Sequence, residues 1–313
     1  MTKSRKTRFP QLCDCTICPR ECHTDRSVDL TGFCGSGAEF HIGSICVHKG
    51  EEPVLSGTRG MCNVFFTRCN MRCIYCQNAQ ISRNRGPILG REMSLSEVVT
   101  QIEQILDTGI SIVGFVSPSH VIPQMRAIIE AIRGDGLNPT FVMNTNAYDK
   151  VETIASLADM IDVYLPDLKY MDADLAARYS ATPDYPQLAT AAITEMFRQK
   201  GAQIALDDEG LIRSGLIVRH LVLPEAVENS KQCLQFIAKS LSPSVHLSVM
   251  SQYHPTEAVR NHPQLGRPLR EEEYDEVLDE MDCLDLDNGW IQEMDSNAEY
   301  VPDFSNPNPF EDA

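Results

Sequence analysis

The sequence predicts an α/β fold in which a parallel sheet is covered by helices. Three observations lead there. Six short apolar runs recur along the chain, at Met61–Phe66, Ile110–Val116, Thr140–Met143, Ile161–Leu165, Leu216–Leu223 and Val245–Val249. Segments of helical period separate most of them, the alternation of a parallel sheet with helical crossovers. Polar residues stand at the downstream ends of the runs, where ligands sit in such folds. Apolar residues at 42% and charged residues at 23% allow a sizeable core. From the pattern alone, a doubly wound open sheet and a partial barrel are both admissible.

The first run, with Val64, Phe65 and Phe66, leads straight into a cysteine-rich loop. Ser94 and Glu97 match a capping box. Leu95, Val98, Val99, Ile102, Ile105 and Leu106 then recur at helical spacing until Gly109. A second helix follows Pro123, with Ile128, Ile129 and Ile132 on one face. The stretch Gly201–Arg213 interrupts the alternation, and Asp207-Asp-Glu-Gly210 marks the turn of a hairpin. Arg270–Asp285 reads as a helix carrying Tyr274, Val277, Leu278, Met281 and Leu284. After Asp295 the composition predicts poor order. The expected units are a Cys-rich segment (1–60, a candidate for a second metal site), a core (61–255), a helical acidic extension (256–295) and a disordered acidic tail (296–313).

The net charge of −17 is localised. No Lys or Arg follows Arg270, and 16 Asp or Glu lie beyond it, leaving 28 acids against 27 bases before that point. A neutral body does not favour nucleic-acid binding, which needs excess cations. No apolar run approaches a membrane span, and the basic Met1–Pro10 stretch lacks the apolar region of a secretory leader. A cytoplasmic protein without membrane or nucleic-acid partners is the expectation.

Ten of the 12 cysteines fall between Cys13 and Cys76. With no export signal, such clustering points to metal or redox chemistry instead of disulfides. Cys69-Asn-Met-Arg-Cys73-Ile-Tyr-Cys76 has the spacing C-x3-C-x2-C. Three thiolates on one loop can hold three corners of a 4Fe–4S cubane and leave the fourth iron open, whereas a structural zinc site takes four closed ligands. Cys15, Cys18, Cys22 and Cys34 form a second set, C-x2-C-x3-C-x11-C. They suit structural zinc, an auxiliary iron–sulfur cluster or loosely paired thiols; Cys13, His23 and Cys46 are spare candidates.

The C-x3-C-x2-C loop, with aromatic Tyr75 before its last cysteine, resembles the signature of the radical S-adenosylmethionine (SAM) superfamily. His48-Lys-Gly-Glu-Glu-Pro53, Asn144-Thr-Asn146, Leu165-Pro-Asp-Leu-Lys169, Arg219-His-Leu-Val-Leu-Pro224 and Met250-Ser-Gln-Tyr253 extend the resemblance to a subgroup related to pyruvate formate-lyase activating enzymes, over most of residues 13 to 255. The resemblance implies a partial (β/α)6 barrel of radical SAM type, with the Cys-rich segment before it and the helical extension after it. It also implies a 4Fe–4S cluster on Cys69, Cys73 and Cys76, with SAM chelating the open iron and cleaved reductively to a 5′-deoxyadenosyl radical.

By the same resemblance, the backbone around Tyr75 meets the adenine. Asn144 and Asn146 face the ribose or a nearby ion, Asp167 and Lys169 line the SAM site, and Arg219 faces the methionine carboxylate or forms a buried structural ion pair. Ser117 and Ser119 stand where the superfamily has a Gly-Gly-Glu type motif on the methionine amine. His220 is read either as a donor to SAM or substrate, or as a satisfied histidine of the barrel wall. Glu51 and Glu52 are read chiefly as a solvated turn. Flavodoxin or ferredoxin is the implied electron donor, and a glycyl radical enzyme is the implied protein substrate. Radical modification of another protein, peptide or small molecule is a second reading, and a non-catalytic metal-binding or redox-sensing protein a third.

Overall fold

The computed structural model describes residues 9–28, 32–294 and 302–310. Its strands are β1 (Phe40–His48), β2 (Met61–Phe66), β3 (Arg91–Met93), β4 (Ile112–Val116), β5 (Thr140–Thr145), β6 (Val163–Pro166), β7 (Ala205–Leu206), β8 (Ile212–Leu221), β9 (His246–Met250) and β10 (Gly289–Ile291). They form one sheet in the order β10-β9-β8-β6-β5-β4-β2-β1-β3, with β7 paired to β8. From β2 to β10 every neighbouring pair on that path is parallel. β1 joins antiparallel to β2, and β3 to β1. Hydrogen bonds do not close the sheet, so the architecture is an open, mostly parallel α/β sheet.

The parallel strands are buried on both faces, which explains their unbroken apolar runs. On the outer face, Val98, Val99 and Ile102 of α3 (Leu95–Leu106) are buried, as are Ile128, Ile129 and Ile132 of α4 (Ile122–Gly134). Ala189, Ala192, Ile193 and Met196 of α7 (Tyr185–Lys200) and Leu234 of α8 (Val227–Phe236) are buried too. The capping box at Ser94 is present, its hydroxyl accepting from Glu97 N at 3.2 Å while Glu97 accepts from Ser94 N at 2.7 Å. On the inner face a second apolar cluster gathers Leu55, Met61, Ile112, Val142, Val163, Leu165 and Ile217. Gly114 lies in this floor. A Cβ there would stand 2.4 Å from both Asn63 Oδ1 and Met61 Cε, so any other residue would have to displace those two side chains.

The acidic extension is part of the sheet. Its helix α9 (Glu271–Cys283) leads into β10, which pairs with β9 in the register Gly289↔Leu247 to Ile291↔Val249. Part of the stretch expected to be disordered is packed. Phe304 is 6% exposed, and its ring lies 5.3 Å from Phe65. The Phe310 ring lies 4.0 Å from that of His48. Gln80 holds the segment at both ends of its amide, to Phe304 N (2.7 Å) and Asp303 Oδ1 (3.1 Å). Two phenylalanines recruited by a distant strand outweigh a local composition of Pro, Asn and Asp. Residues 296–301 and 311–313 of that stretch lie outside the described residues.

Because this strap has few anchors, its release is expected to be local. Substituting Phe304 and Phe310 together by alanine should bring amide exchange across 302–310 to the coil rate. The global unfolding free energy from urea denaturation should fall by no more than about 1 kcal/mol. A loss of several kcal/mol would show instead that the strap is integral to the core.

Candidate functional site

The loop after β2 is pinned from several directions. Asn70 Nδ2 donates to Tyr148 O (2.7 Å) and Asn84 Nδ2 to Cys69 O (2.6 Å). Arg72 N and Ile74 N donate to Ser180 O and Tyr179 O, at the end of α6 (Ala173–Ser180). Each of the three sulfurs has a polar neighbour. Cys69 Sγ accepts from Met71 N and Asn146 Nδ2, both at 3.4 Å. Cys73 Sγ accepts from the Ser180 hydroxyl at 3.0 Å, and Cys76 Sγ lies 3.2 Å from that of Ser82.

Burial pushes the Cys69 thiol up to about 12 and the Cys73 thiol to about 11, with Lys169 pulling against both shifts. The protein alone keeps these groups protonated, so a metal must supply the charge that ionises them. Among the described residues, no three of His, Cys, Asp or Glu converge closely enough to share one metal ion. Three sulfurs on one loop, each with a hydrogen-bonding neighbour, suit three corners of a cubane.

The residues singled out in the sequence separate into groups. The Tyr75 hydroxyl lies 2.6 Å from that of Tyr170, which lies 2.8 Å from Ser180 Oγ, so a hydroxyl chain runs from Tyr75 to the Cys73 sulfur. Asn146 grips the cluster loop: its Nδ2 reaches Asn70 Oδ1 at 2.8 Å as well as Cys69. Lys169 Nζ is 2.5 Å from Asp167 Oδ2. Burial lowers the lysine, but Asp167 and Cys73 more than offset it and hold its pKa above the ordinary value. Asn144 lines a pocket shared with Gln77, Asn78 and Arg219. Ser117 ends β4 at φ +51° with its N–H on Asn144 O.

Ser119 is buried, its hydroxyl 3.0 Å from that of Thr145. His220 is fully buried, with Nδ1 2.6 Å from Leu168 O and Nε2 2.9 Å from Ser230 Oγ. Burial lowers it to about 4, so it is the satisfied wall histidine of the two readings.

Arg219 donates to Glu52 through Nε (2.8 Å) and contacts both Glu51 and Glu52 through Nη2. The two glutamates are therefore not a solvated turn; their side chains are 8% and 5% exposed. Burial would raise the Glu51 carboxyl, but Arg219 outweighs it and holds the group at about 2. No local pattern marks this pairing, because 167 residues separate Arg219 from Glu52. The triad lines an open pocket of about 360 Å³. Phe65, Asn144, Ser248, Gln252 and Gln292 complete its wall, Gln77 and Asn78 bring it up to the cluster loop, and Phe310 of the strap borders it. Strand alternation puts Asn63, Asn144, Arg219 and Ser248 on this face.

Asp149 lies behind the site, buried, accepting from Thr145 Oγ1 at 2.5 Å. Burial raises its carboxyl to about 6. An unfolded aspartate titrates near about 3.9. The native state thus holds this proton more tightly, and stability falls as pH rises from about 4 through about 6. Asp149→Asn is expected to gain about 2–3 kcal/mol above pH 6 and little below pH 4. Anaerobic urea denaturation at several pH values checks this; an equal gain at every pH would remove the titration from the explanation.

Residues 63–202 match the Radical SAM superfamily. An uncharacterised protein of Methanocaldococcus jannaschii is 26% identical over 284 residues, covering 88% of this chain and 76% of that one. Among solved structures, a domain of pyruvate-formate lyase-activating enzyme from Bacteroides vulgatus aligns at 16% identity and TM-score 0.37, over 55% of this chain and 93% of that one. HydG, a maturase of the FeFe-hydrogenase, aligns at 10% identity and TM-score 0.45, over 72% and 48%. Cys69, Cys73 and Cys76 lie inside the span that is similar to that superfamily.

Proposed function

We propose that the protein reductively cleaves SAM at a 4Fe–4S cluster held by Cys69, Cys73 and Cys76, and uses the resulting radical on an organic substrate. The observation that carries this reading is the three-cysteine loop itself, pinned at Cys69, Asn70, Arg72 and Ile74 within the matched span. When bound, the cluster supplies one electron to the sulfonium, which splits into methionine and a 5′-deoxyadenosyl radical. The chain's own part is placement and shielding. Asn70, Asn84 and Asn146 fix the loop, the Tyr75–Tyr170–Ser180 chain donates to a sulfur, and the tyrosine layer keeps water from that side.

Activation of a glycyl radical enzyme is the first substrate reading, supported by the motifs shared with the activating enzymes. The electron donor would be a flavodoxin or ferredoxin, in a reducing cytoplasm that keeps twelve cysteines reduced. Among the described residues, no helix is long and apolar enough to cross a membrane. A small-molecule or peptide substrate is the second reading. It is favoured by the polar pocket between Gln77 and Arg219 and by Phe310 at its border, which leaves less room for a protein loop.

Anaerobic reconstitution, reduction and addition of SAM should yield 5′-deoxyadenosine. No product despite a reduced cluster and bound SAM would overturn autonomous cleavage. A glycyl radical signal on a candidate partner enzyme separates the first substrate reading from the second.

A further inference from the structure

The N-terminal cysteines are built into a second site that the chemistry above does not use. Cys15, Cys18, Cys22 and Cys34 line one small pocket, together with Arg20, Arg26 and His120. Cys15, Cys18 and Cys34 are 6%, 7% and 6% exposed, and no disulfide joins any of the four. Every sulfur accepts an N–H. Cys22 Sγ takes Phe33 N at 3.2 Å, Cys34 Sγ takes Ser36 N at 3.5 Å, Cys18 takes the Arg20 amide, and Cys15 Sγ takes Arg26 Nη1 at 3.7 Å. Amides aimed at sulfur are the outer support of metal thiolates.

Arg26 adds a charge argument. It is 3% exposed, and its other hydrogen bonds go to the carbonyls of Ser36, Gly37 and His120. Among the described residues it has no carboxylate partner. A buried guanidinium facing only carbonyls and a sulfur is costly unless an anion sits beside it. Four thiolates around a metal centre supply that anion.

The site is also fastened to the SAM-cleaving loop. Arg20 donates to Asn70 O (3.0 Å) and Ala181 O (2.7 Å). Asn84 Nδ2 joins Phe33 O, beside Cys34, to Cys69 O. The guanidinium carbons of Arg20 and Arg72 lie 3.6 and 4.0 Å from the Phe33 ring centroid.

We propose that Cys15, Cys18, Cys22 and Cys34 hold a second, fully ligated 4Fe–4S cluster that seats the loop of the first. The test is metal content under anaerobic conditions, with zinc measured on the protein as purified. Wild type should hold about eight irons per chain after reconstitution. Cys69, Cys73 and Cys76 all changed to Ser should leave about four, with no SAM cleavage. Cys18→Ser with Cys22→Ser should also leave about four, with a shifted electron paramagnetic resonance signal from the remaining cluster. About four irons in wild type and none in the triple variant would overturn the proposal, as would one zinc per chain persisting in the triple variant. If the Cys18/Cys22 variant fails to fold, those two counts still decide. Equal iron in wild type and triple variant would instead sink the assignment of the Cys69 loop and leave this site standing.

Discussion

Cys73→Ala is expected to bring 5′-deoxyadenosine formation down to the protein-free background. A cubane held by three thiolates loses a corner, and Cys69 with Cys76 cannot hold the rest in a fixed orientation toward SAM. The informative companion is Ser180→Ala. It keeps all three ligands but removes the hydroxyl that stands 3.0 Å from the Cys73 sulfur and ends the chain from Tyr75. Hydrogen bonds to cluster sulfurs tune the reduction potential. Losing one stabilises the oxidised cluster, so reduction should need a stronger reductant. Cleavage with a limiting donor should slow about tenfold, the lower end of the usual outer-shell effect. Iron content should stay at the wild-type value. If Ser180→Ala lost iron as completely as Cys73→Ala, the serine would be a folding determinant of the loop and not a tuning group. If Cys73→Ala retained cleavage, the cluster would not be where the loop places it.

How much of this was legible in the sequence depends on how local each signal is. The six core strands stand close to their apolar runs because strands buried on both faces need nothing else to declare them. β10 escapes such reading. Three residues amid acids form a strand only because β9 offers its edge, and Gly289, at φ +130°, lies where a Cβ would stand 1.8 Å from Leu247 O. The cysteine loop was legible as chemistry because its ligands lie within eight residues. Asn146 is expected at a ribose, yet its side-chain amide reaches the cysteine loop, through Asn70 some 76 residues away. Ser119 looked like a strand-end donor, but the 3₁₀ turn after Ser117 turns its hydroxyl toward Thr145. Sequence spacing names which residues gather at a strand end; the turn that follows decides which way each one points.

The buried triad gives the largest expected effect on stability. Arg219→Met preserves much of the side-chain volume but leaves Glu51 and Glu52 without their cation in a wall that is 8% and 5% exposed. Removing one partner from a buried ion pair costs about 3–5 kcal/mol, because the remaining charge stays desolvated. The pH dependence carries the proof. In wild type, Glu51 sits at about 2, below an unfolded glutamate near about 4.3, so its contribution is present above that value and is lost only as pH falls toward 2. Without Arg219 only His48 and Asn63 act against the burial of Glu51, so its carboxyl rises and stability is lost as pH rises. The difference between wild type and variant should therefore widen as pH rises above about 4.3. Adding Glu51→Gln and Glu52→Gln to Arg219→Met should recover most of the loss, since no charge is then left buried. A pH-independent difference, or a triple variant no more stable than the single one, would assign the cost to lost packing around the guanidinium instead of to the two carboxylates it holds.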